Sequence, residues 1–163
     1  MALFNGTYVQ NFDAKGRVSI PASFRVALRA GIVSLAAIDE GPASIPLVLR
    51  PSDKAACIEA QTEQKHAALV AELEKLDPLS DEYDALATVL FADAWPVETD
   101  KEGRVIIPDA LLSHAGISRS GAVAFVGMGT RFQLWQPENV AAHKAAQHSA
   151  NRARVTRPRD VAA

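Results

Sequence analysis

Val18 and Ile20 alternate with Arg17 and Ser19, and Pro21 ends the run; Val105 and Ile107 repeat the pattern before Pro108. A period of two predicts a strand with one buried face. Pro is well suited to a helix's first position, so a short helix is expected after each proline. Phe24 and Leu28 give the first its apolar spacing, with Gly31 a plausible stop. Leu111 or Leu112 and Gly116 do the same for the second. Further on, Ala122–Val126 reads as a strand, Gly127-Met128-Gly129 as a turn and Arg131–Trp135 as the returning strand. Between these regions two helices are expected. One is capped by Ser52 and runs to about Leu76, with Ile58, Leu69, Leu73 and Leu76 on its apolar face; the other is capped by Ser80, with Tyr83, Leu86, Leu90 and Phe91. A third helix is expected over residues 138–148.

The strand pattern belongs to a longer repeat. Residues 13–21 read DAKGRVSIP and residues 100–108 read DKEGRVIIP, with Asp, Gly, Arg, Val, Ile and Pro shared. Asp13 and Asp100 suit the backbone of a tight turn, and Gly16 and Gly103 supply its positive φ. Each copy is followed by Ala-Gly-Ile (30–32 and 115–117) and later by a strand ending in proline, LVLRP (47–51) and QLWQP (133–137). The chain thus divides into a first half (3–51), a connecting helical pair (52–92), a second half (93–137), a C-terminal helix (138–148) and a flexible basic tail (149–163). The expected fold class is α+β.

The chain has 163 residues, enough for one large domain or two small ones, and its 48% hydrophobic content suffices for a core. No stretch approaches the roughly 20 apolar residues of a membrane helix. The stretch MALFNGTYVQ lacks a basic region before an apolar run, so no signal peptide is expected. With Cys57 as the single cysteine, a cytoplasmic location is expected. The formal net charge of −2 is unevenly spread. Residues 53–84 hold nine acidic residues and three lysines, whereas residues 1–50 sum to +2 and the tail from Ser149 carries four arginines against one acid. A basic face is therefore compatible with a slightly acidic chain.

Candidate catalytic chemistry is sparse. Nucleophile elbow, Walker loop, zinc-protease motif and paired-cysteine site are all absent from the sequence. Histidines 66, 114, 143 and 148 are scattered, and the last two are five apart, a poor spacing for a shared helix face. Gly127-x-Gly129 lies between two strands and reads as a hairpin turn rather than a dinucleotide loop. Cys57 reads as a small core residue. Neither an enzyme, a metal nor a cofactor is expected.

The two copies of Asp-x-x-Gly-Arg-Val-x-Ile-Pro resemble the swapped-hairpin DNA-binding domain of the AbrB type. Two copies in one chain, with DAKGRVSIPASFR (13–25), DKEGRVIIPDALLSHAGI (100–117) and VAFVGMGTRFQLW (123–135), resemble the MraZ family of bacterial transcriptional regulators. That resemblance implies two pseudo-symmetric swapped-hairpin β-barrel halves joined by the helical pair. It also implies a homo-oligomeric ring, bound to G-rich direct repeats in double-stranded DNA upstream of the division and cell-wall gene cluster. Such a protein would work in the cytoplasm, associated with the nucleoid, without a membrane or small-molecule substrate. The arginine of the Gly-Arg pair, the DNA contact that the resemblance implies, falls on Arg17 and Arg104.

Two roles are open to these arginines. An arginine after a glycine turn at the tip of a β-ribbon can reach the major groove and pair with O6 and N7 of guanine, with Lys15 and Lys101 beside it for phosphate. Alternatively, each arginine pairs with Asp13 or Asp100 to hold its turn. Asp13, Gly16, Pro21, Asp100, Gly103 and Pro108 carry the turn, strand and helix start. Glu102 stands where the first copy has Lys15, so the first copy is expected to be the stronger reader. Two other functions remain open: a structural or protein-interaction ring that does not read DNA, and an AbrB-type antitoxin or transition-state regulator.

Overall fold

The computed structural model describes residues 3–31 and 44–156. Residues 32–43 of the first half's expected hairpin and residues 157–163 of the tail lie outside them. The fold is α+β. The strands are β1 (Thr7–Asn11), β2 (Val18–Ser19), β3 (Pro46–Pro51), β4 (Ile58–Gln61), β5 (Trp95–Glu98), β6 (Arg104–Val105), β7 (Ala122–Gly127) and β8 (Phe132–Trp135). The helices are α1 (Ala22–Ala30), α2 (Glu63–Leu73), α3 (Asp81–Ala87), α4 (Asp109–Ala115) and α5 (Pro137–Thr156), and a π-helical turn (Thr88–Ala92) continues α3.

Six strands form one antiparallel sheet in the order β1-β7-β8-β4-β3-β5, and β2 pairs with β6 in a separate ribbon. The two repeat copies therefore interlock. Strand β1 of the first pairs with β7 of the second, and β3 of the first pairs with β5 of the second. The alternation read from the sequence explains the burial. Leu47, Leu49, Ile58, Phe125, Phe132 and Leu134 point to one face of the sheet, where α1 adds Phe24 and Leu28 and α4 adds Leu111 and Leu112. Val18, Ile20, Val105 and Ile107 close the same core from the ribbon. Burying one such side chain stabilises the fold by about 1.5–3 kcal/mol.

At one edge Phe4 is pinned by a pair of backbone hydrogen bonds to Gly129, and its ring packs 5.3 Å from Phe24 and 4.9 Å from Phe132. Gly127 has to be glycine because a Cβ there would collide with the Phe4 carbonyl.

Three expected boundaries are corrected. Ser52 does not cap a helix. The segment after it turns back through Ser52 N–H to Cys57 O (3.0 Å) into β4, and α2 starts at Thr62, whose hydroxyl accepts from Lys65 N at 3.0 Å. Alternation decides this: Ile58 and Ala60 enter the main core, while Glu59 and Gln61 face the other side. Helix α2 also stops at Leu73, short of Leu76. Finally, the C-terminal helix passes residue 148 and continues to Thr156 through the segment read as flexible tail. Alanine is its commonest residue and the strongest helix former, and neither Gly nor Pro follows Pro137 until Pro158. The Ser80 cap on α3 is present, accepting from Tyr83 N at 3.1 Å.

Helix α5 covers the second face of the sheet. Val140 joins Trp135, Val126, Ala124 and Cys57, and the His143 ring stacks 4.2 Å from Trp135. Beneath it runs a buried polar chain. Glu59 accepts from Arg131 Nε and Gln133 Nε2, both at 2.9 Å, and Gln133 Oε1 accepts from Trp135 Nε1 at 2.9 Å.

Candidate nucleic-acid interface

Each repeat copy folds its first five residues into the same turn. Asp13 N donates to Arg17 O (2.8 Å) and Gly16 N to Asp13 O (3.0 Å); Asp100 N donates to Arg104 O (2.8 Å) and Gly103 N to Asp100 O (3.1 Å). The aspartate side chain supplies the rest. Asp13 Oδ1 accepts from Lys15 N and Arg17 N, both at 2.9 Å, and Asp100 Oδ1 accepts from Glu102 N (3.0 Å) and Arg104 N (2.9 Å). The turn needs a positive φ at its fourth residue, met by Gly16 at 77° and Gly103 at 81°.

The β2–β6 pairing, Val18 with Val105 and Ser19 with Arg104, sets the two turns side by side. Pro21 and Pro108 then leave the ribbon and start α1 and α4. Two arginines and two aspartates meet at the ends of the ribbon. Arg17 Nε donates to Asp13 Oδ2 at 2.9 Å, Arg104 Nε donates to Asp100 Oδ2 at 2.8 Å, and Arg17 Nη1 lies 3.7 Å from Asp100 Oδ2. The turn-holding contact is thus made through Nε in both copies. Among the described residues the terminal nitrogens of Arg17 make no hydrogen bond, whereas Arg104 Nη2 donates to Glu102 Oε2 at 3.2 Å. Both arginine side chains are only partly exposed, 24% for Arg17 and 30% for Arg104. Lys15 and Lys101 are exposed.

The charge balance follows from these bonds. The Arg17 backbone amide, then its side chain, holds the Asp13 carboxyl below its ordinary range; Arg104 does the same for Asp100. In return the hydrogen bond to Asp100 raises the already high pKa of Arg104. Both aspartates stay ionised at neutral pH and hold the arginines' Nε ends.

Two further arginines reach this region. Arg25, on α1, turns inward: Nη1 donates to Ile20 O at 2.5 Å, and its stem lies over Gly103. Arg119 lies outside the repeat. It donates from Nη1 to Gly16 O at 3.0 Å, from Nη2 to Ile107 O, and from Nε and Nη2 to Asp109 Oδ1 at 3.0 and 2.7 Å. The nine-residue repeat ends at Pro108, so it carries no sign of Arg119. An open cleft of roughly 620 Å³ runs beside the first turn, between Phe12–Gly16 and Arg119-Ser120. Among the described residues there is no cluster of three or more His, Cys, Asp or Glu side chains able to hold a metal, and no helix long and apolar enough to cross a membrane.

The family model described as "MraZ protein, putative antitoxin-like" matches residues 3–40 and 90–158, and so includes both turns. A protein of Gluconacetobacter diazotrophicus named transcriptional regulator MraZ is 46% identical over 152 residues, covering 93% of this chain and 90% of its own length. One of the same name from Gluconobacter oxydans is 42% identical over 163 residues, covering 100% and 93%. A third, from Rickettsia akari, is 37% identical over 157 residues, covering 96% and 97%. From Phe4, bridged to Gly129 ahead of edge strand β1, to the arginine-bearing end of α5, the chain belongs to the MraZ family.

Proposed function

We propose that this chain is a sequence-specific DNA-binding transcriptional regulator whose reading head is the paired-turn ribbon. The observation that carries the reading is the juxtaposition of the two Gly-Arg turns through β2 and β6, with Arg17 held by Nε and its terminal nitrogens, one of them 3.7 Å from Asp100, free of hydrogen bonds among the described residues. A guanidinium fixed at Nε presents its two Nη groups end-on, the geometry that pairs with O6 and N7 of guanine. A two-stranded ribbon fits the major groove. Arg17 reads guanine and Lys15 meets phosphate; Arg104 and Lys101 do the same more weakly, because Glu102 engages Arg104 and repels the backbone. The names of the three relatives support regulation of transcription.

The same reading treats 3–51 and 93–137 as two AbrB-like swapped-hairpin halves, which the cross-pairing of β1 with β7 and of β3 with β5 supports. The targets are G-rich direct repeats upstream of the division and cell-wall gene cluster, bound by a ring of copies in the cytoplasm at the nucleoid. One subunit offers few base contacts, each worth about 1–3 kcal/mol of discrimination. Adjacent subunits on adjacent repeats make each further contact effectively intramolecular. Exposed apolar side chains at both edges of the sheet, Tyr8 and Val9 on β1 and Trp95 on β5, support assembly of copies.

Footprinting on the DNA upstream of the chain's own gene tests the reading. Wild type should protect a set of spaced G-rich repeats, and Arg17→Ala should protect none while keeping the same elution volume. Protection by Arg17→Ala equal to wild type would overturn it.

A further inference from the structure

We propose that Arg119 is the positioning residue of the first reading turn, a role for which the second turn uses Arg25; the inference rests on the DNA-reading role given to Arg17. The two arginines come from unrelated places. Arg25 lies on α1 of the first half, and Arg119 lies between α4 and β7 of the second. Yet they make matching contacts. Each donates to the carbonyl of the isoleucine before the helix-starting proline of its own half, Ile20 for Arg25 and Ile107 for Arg119. Each then crosses to lie against the turn glycine of the other half, Arg25 on Gly103 and Arg119 on Gly16.

The crossing ties each turn to the opposite half. Arg119 bonds the carbonyl of Gly16, the residue directly before Arg17, and a Cβ on Gly16 would sit 3.4 Å from Arg119 Cδ. At the other turn the Gly103 carbonyl accepts from Ile20 N at 3.0 Å. The matching backbone bond from Ile107 N to Gly16 O is not among those formed, and Arg119 Nη1 takes its place.

The donor arithmetic separates this role from phosphate contact. Arginine has five N–H donors, and Arg119 spends four of them on Gly16, Ile107 and Asp109. Asp109 also cancels its charge. A side chain so committed has little to offer DNA, whereas it fixes where Arg17 leaves the backbone. Lysine, with one ammonium, cannot span three acceptors lying in different directions.

The test compares full-length wild type, Arg119→Ala, Arg119→Lys and Arg17→Ala for binding to a duplex of G-rich repeats and to its scrambled counterpart across a salt series. In parallel, amide exchange of the free proteins is measured. Arg119→Ala is expected to lower affinity for the repeat duplex about tenfold, the size of one hydrogen bond to a charged group, with unchanged scrambled-duplex affinity and salt slope. Arg119→Lys should fall similarly. The Arg17 amide should exchange faster in the Arg119 variants while that of Arg104 keeps its rate. Equal loss on both duplexes with a shallower salt slope would make Arg119 a phosphate contact and overturn the proposal, as would unchanged repeat binding or unchanged Arg17 exchange. If Arg119→Ala does not fold, Asp109→Ala, which removes the anchor and leaves the arginine, should show the same pattern in milder form; wild-type behaviour there overturns it. Normal repeat binding by Arg17→Ala would instead sink the reading of Arg17, and the exchange data alone would then decide for or against Arg119.

Discussion

Arg17 and Asp100 come from different copies of the repeat, 83 positions apart in sequence, and their side chains lie 3.7 Å apart at the ribbon. The same Asp100 oxygen accepts from Arg104 at 2.8 Å, so one carboxylate faces the arginines of both turns. Asp100→Asn separates two physical effects. If surface charge alone mattered, removing an anion would strengthen binding to any DNA. Because Asp100 orients the arginines, the variant should lose several-fold in affinity for the repeat duplex while gaining slightly on a scrambled one. A salt-series titration on both duplexes distinguishes these, and equal gains on both would refute the orienting role.

Glu102 marks the difference between the copies. It accepts from Arg104 Nη2 at 3.2 Å and sits where Lys15 stands in the first turn. Glu102→Lys frees those Nη protons and adds a cation at the place where the first copy already has one. Affinity for repeat DNA should rise, and the slope of log affinity against log salt should steepen by up to about 0.9 for one added phosphate contact. An unchanged slope would mean that the second turn does not approach the DNA backbone.

The turns should tolerate mild acid. Asp13 and Asp100 have lowered pKa values because arginine backbone amides, then guanidinium groups, bond the ionised form. For a depressed carboxylate the stabilisation is fully present above the unfolded value of 3.8 and is lost as pH falls through the lower folded value. Carbon-detected titration of the carboxyl groups should give both midpoints below 3.8, with little change in the turn resonances between pH 7 and about 5. In Arg104→Ala, which keeps the backbone amide and removes the guanidinium, the Asp100 midpoint should rise only part of the way while Asp13 moves less.

The turn chemistry was legible in the sequence because it is local: Asp, Gly, Arg and Pro within nine residues specify it. The strand-turn-strand of β7 and β8 was legible for the same reason. What escaped was non-local. That β2 pairs with β6 depends on contacts across 87 positions; the repeat matches Val18 to Val105, but likeness of sequence alone does not set their pairing or register. Strand β4 was read as helix because only four residues alternate, between alanine- and glutamate-rich flanks that favour helix. Arg119 escaped because its value lies in gathering acceptors from separate segments, Ile107 and Asp109 before α4 and in it and Gly16 in the other half, none of them visible at position 119.

The buried chain under α5 should be a stability element. Glu59 is 6% exposed and satisfies Arg131 and Gln133, which in turn satisfies the Trp135 indole. Glu59→Ala strands a buried amide donor on Gln133, at a cost of about 1–3 kcal/mol; Arg131, being more exposed, can turn to water. Glu59→Gln keeps the shape but offers only one acceptor oxygen to two donors, so it should also destabilise. Urea melts of Glu59→Ala, Gln133→Leu and the double variant should show that the double costs less than the two singles together. Additive losses would mean that the residues do not act as one network.

Cys57 provides a reporter for the opening of this same face. It is fully buried just before β4, against Trp135 and Val140, and burial, then the charge of Glu59, pushes its thiol pKa up to about 11. At pH 8 only about one thiol in a thousand would be ionised, and reagent cannot reach it without opening the layer between α5 and the sheet. A thiol-specific reagent should therefore label wild type slowly, and labelling should reach one equivalent per chain in denaturant. In Glu59→Ala, native-state labelling should accelerate by the same factor as the equilibrium for opening, so its rate and the urea-melt difference must agree. Rapid labelling of wild type without denaturant would show that α5 leaves the sheet far more often than its packing on Trp135 implies.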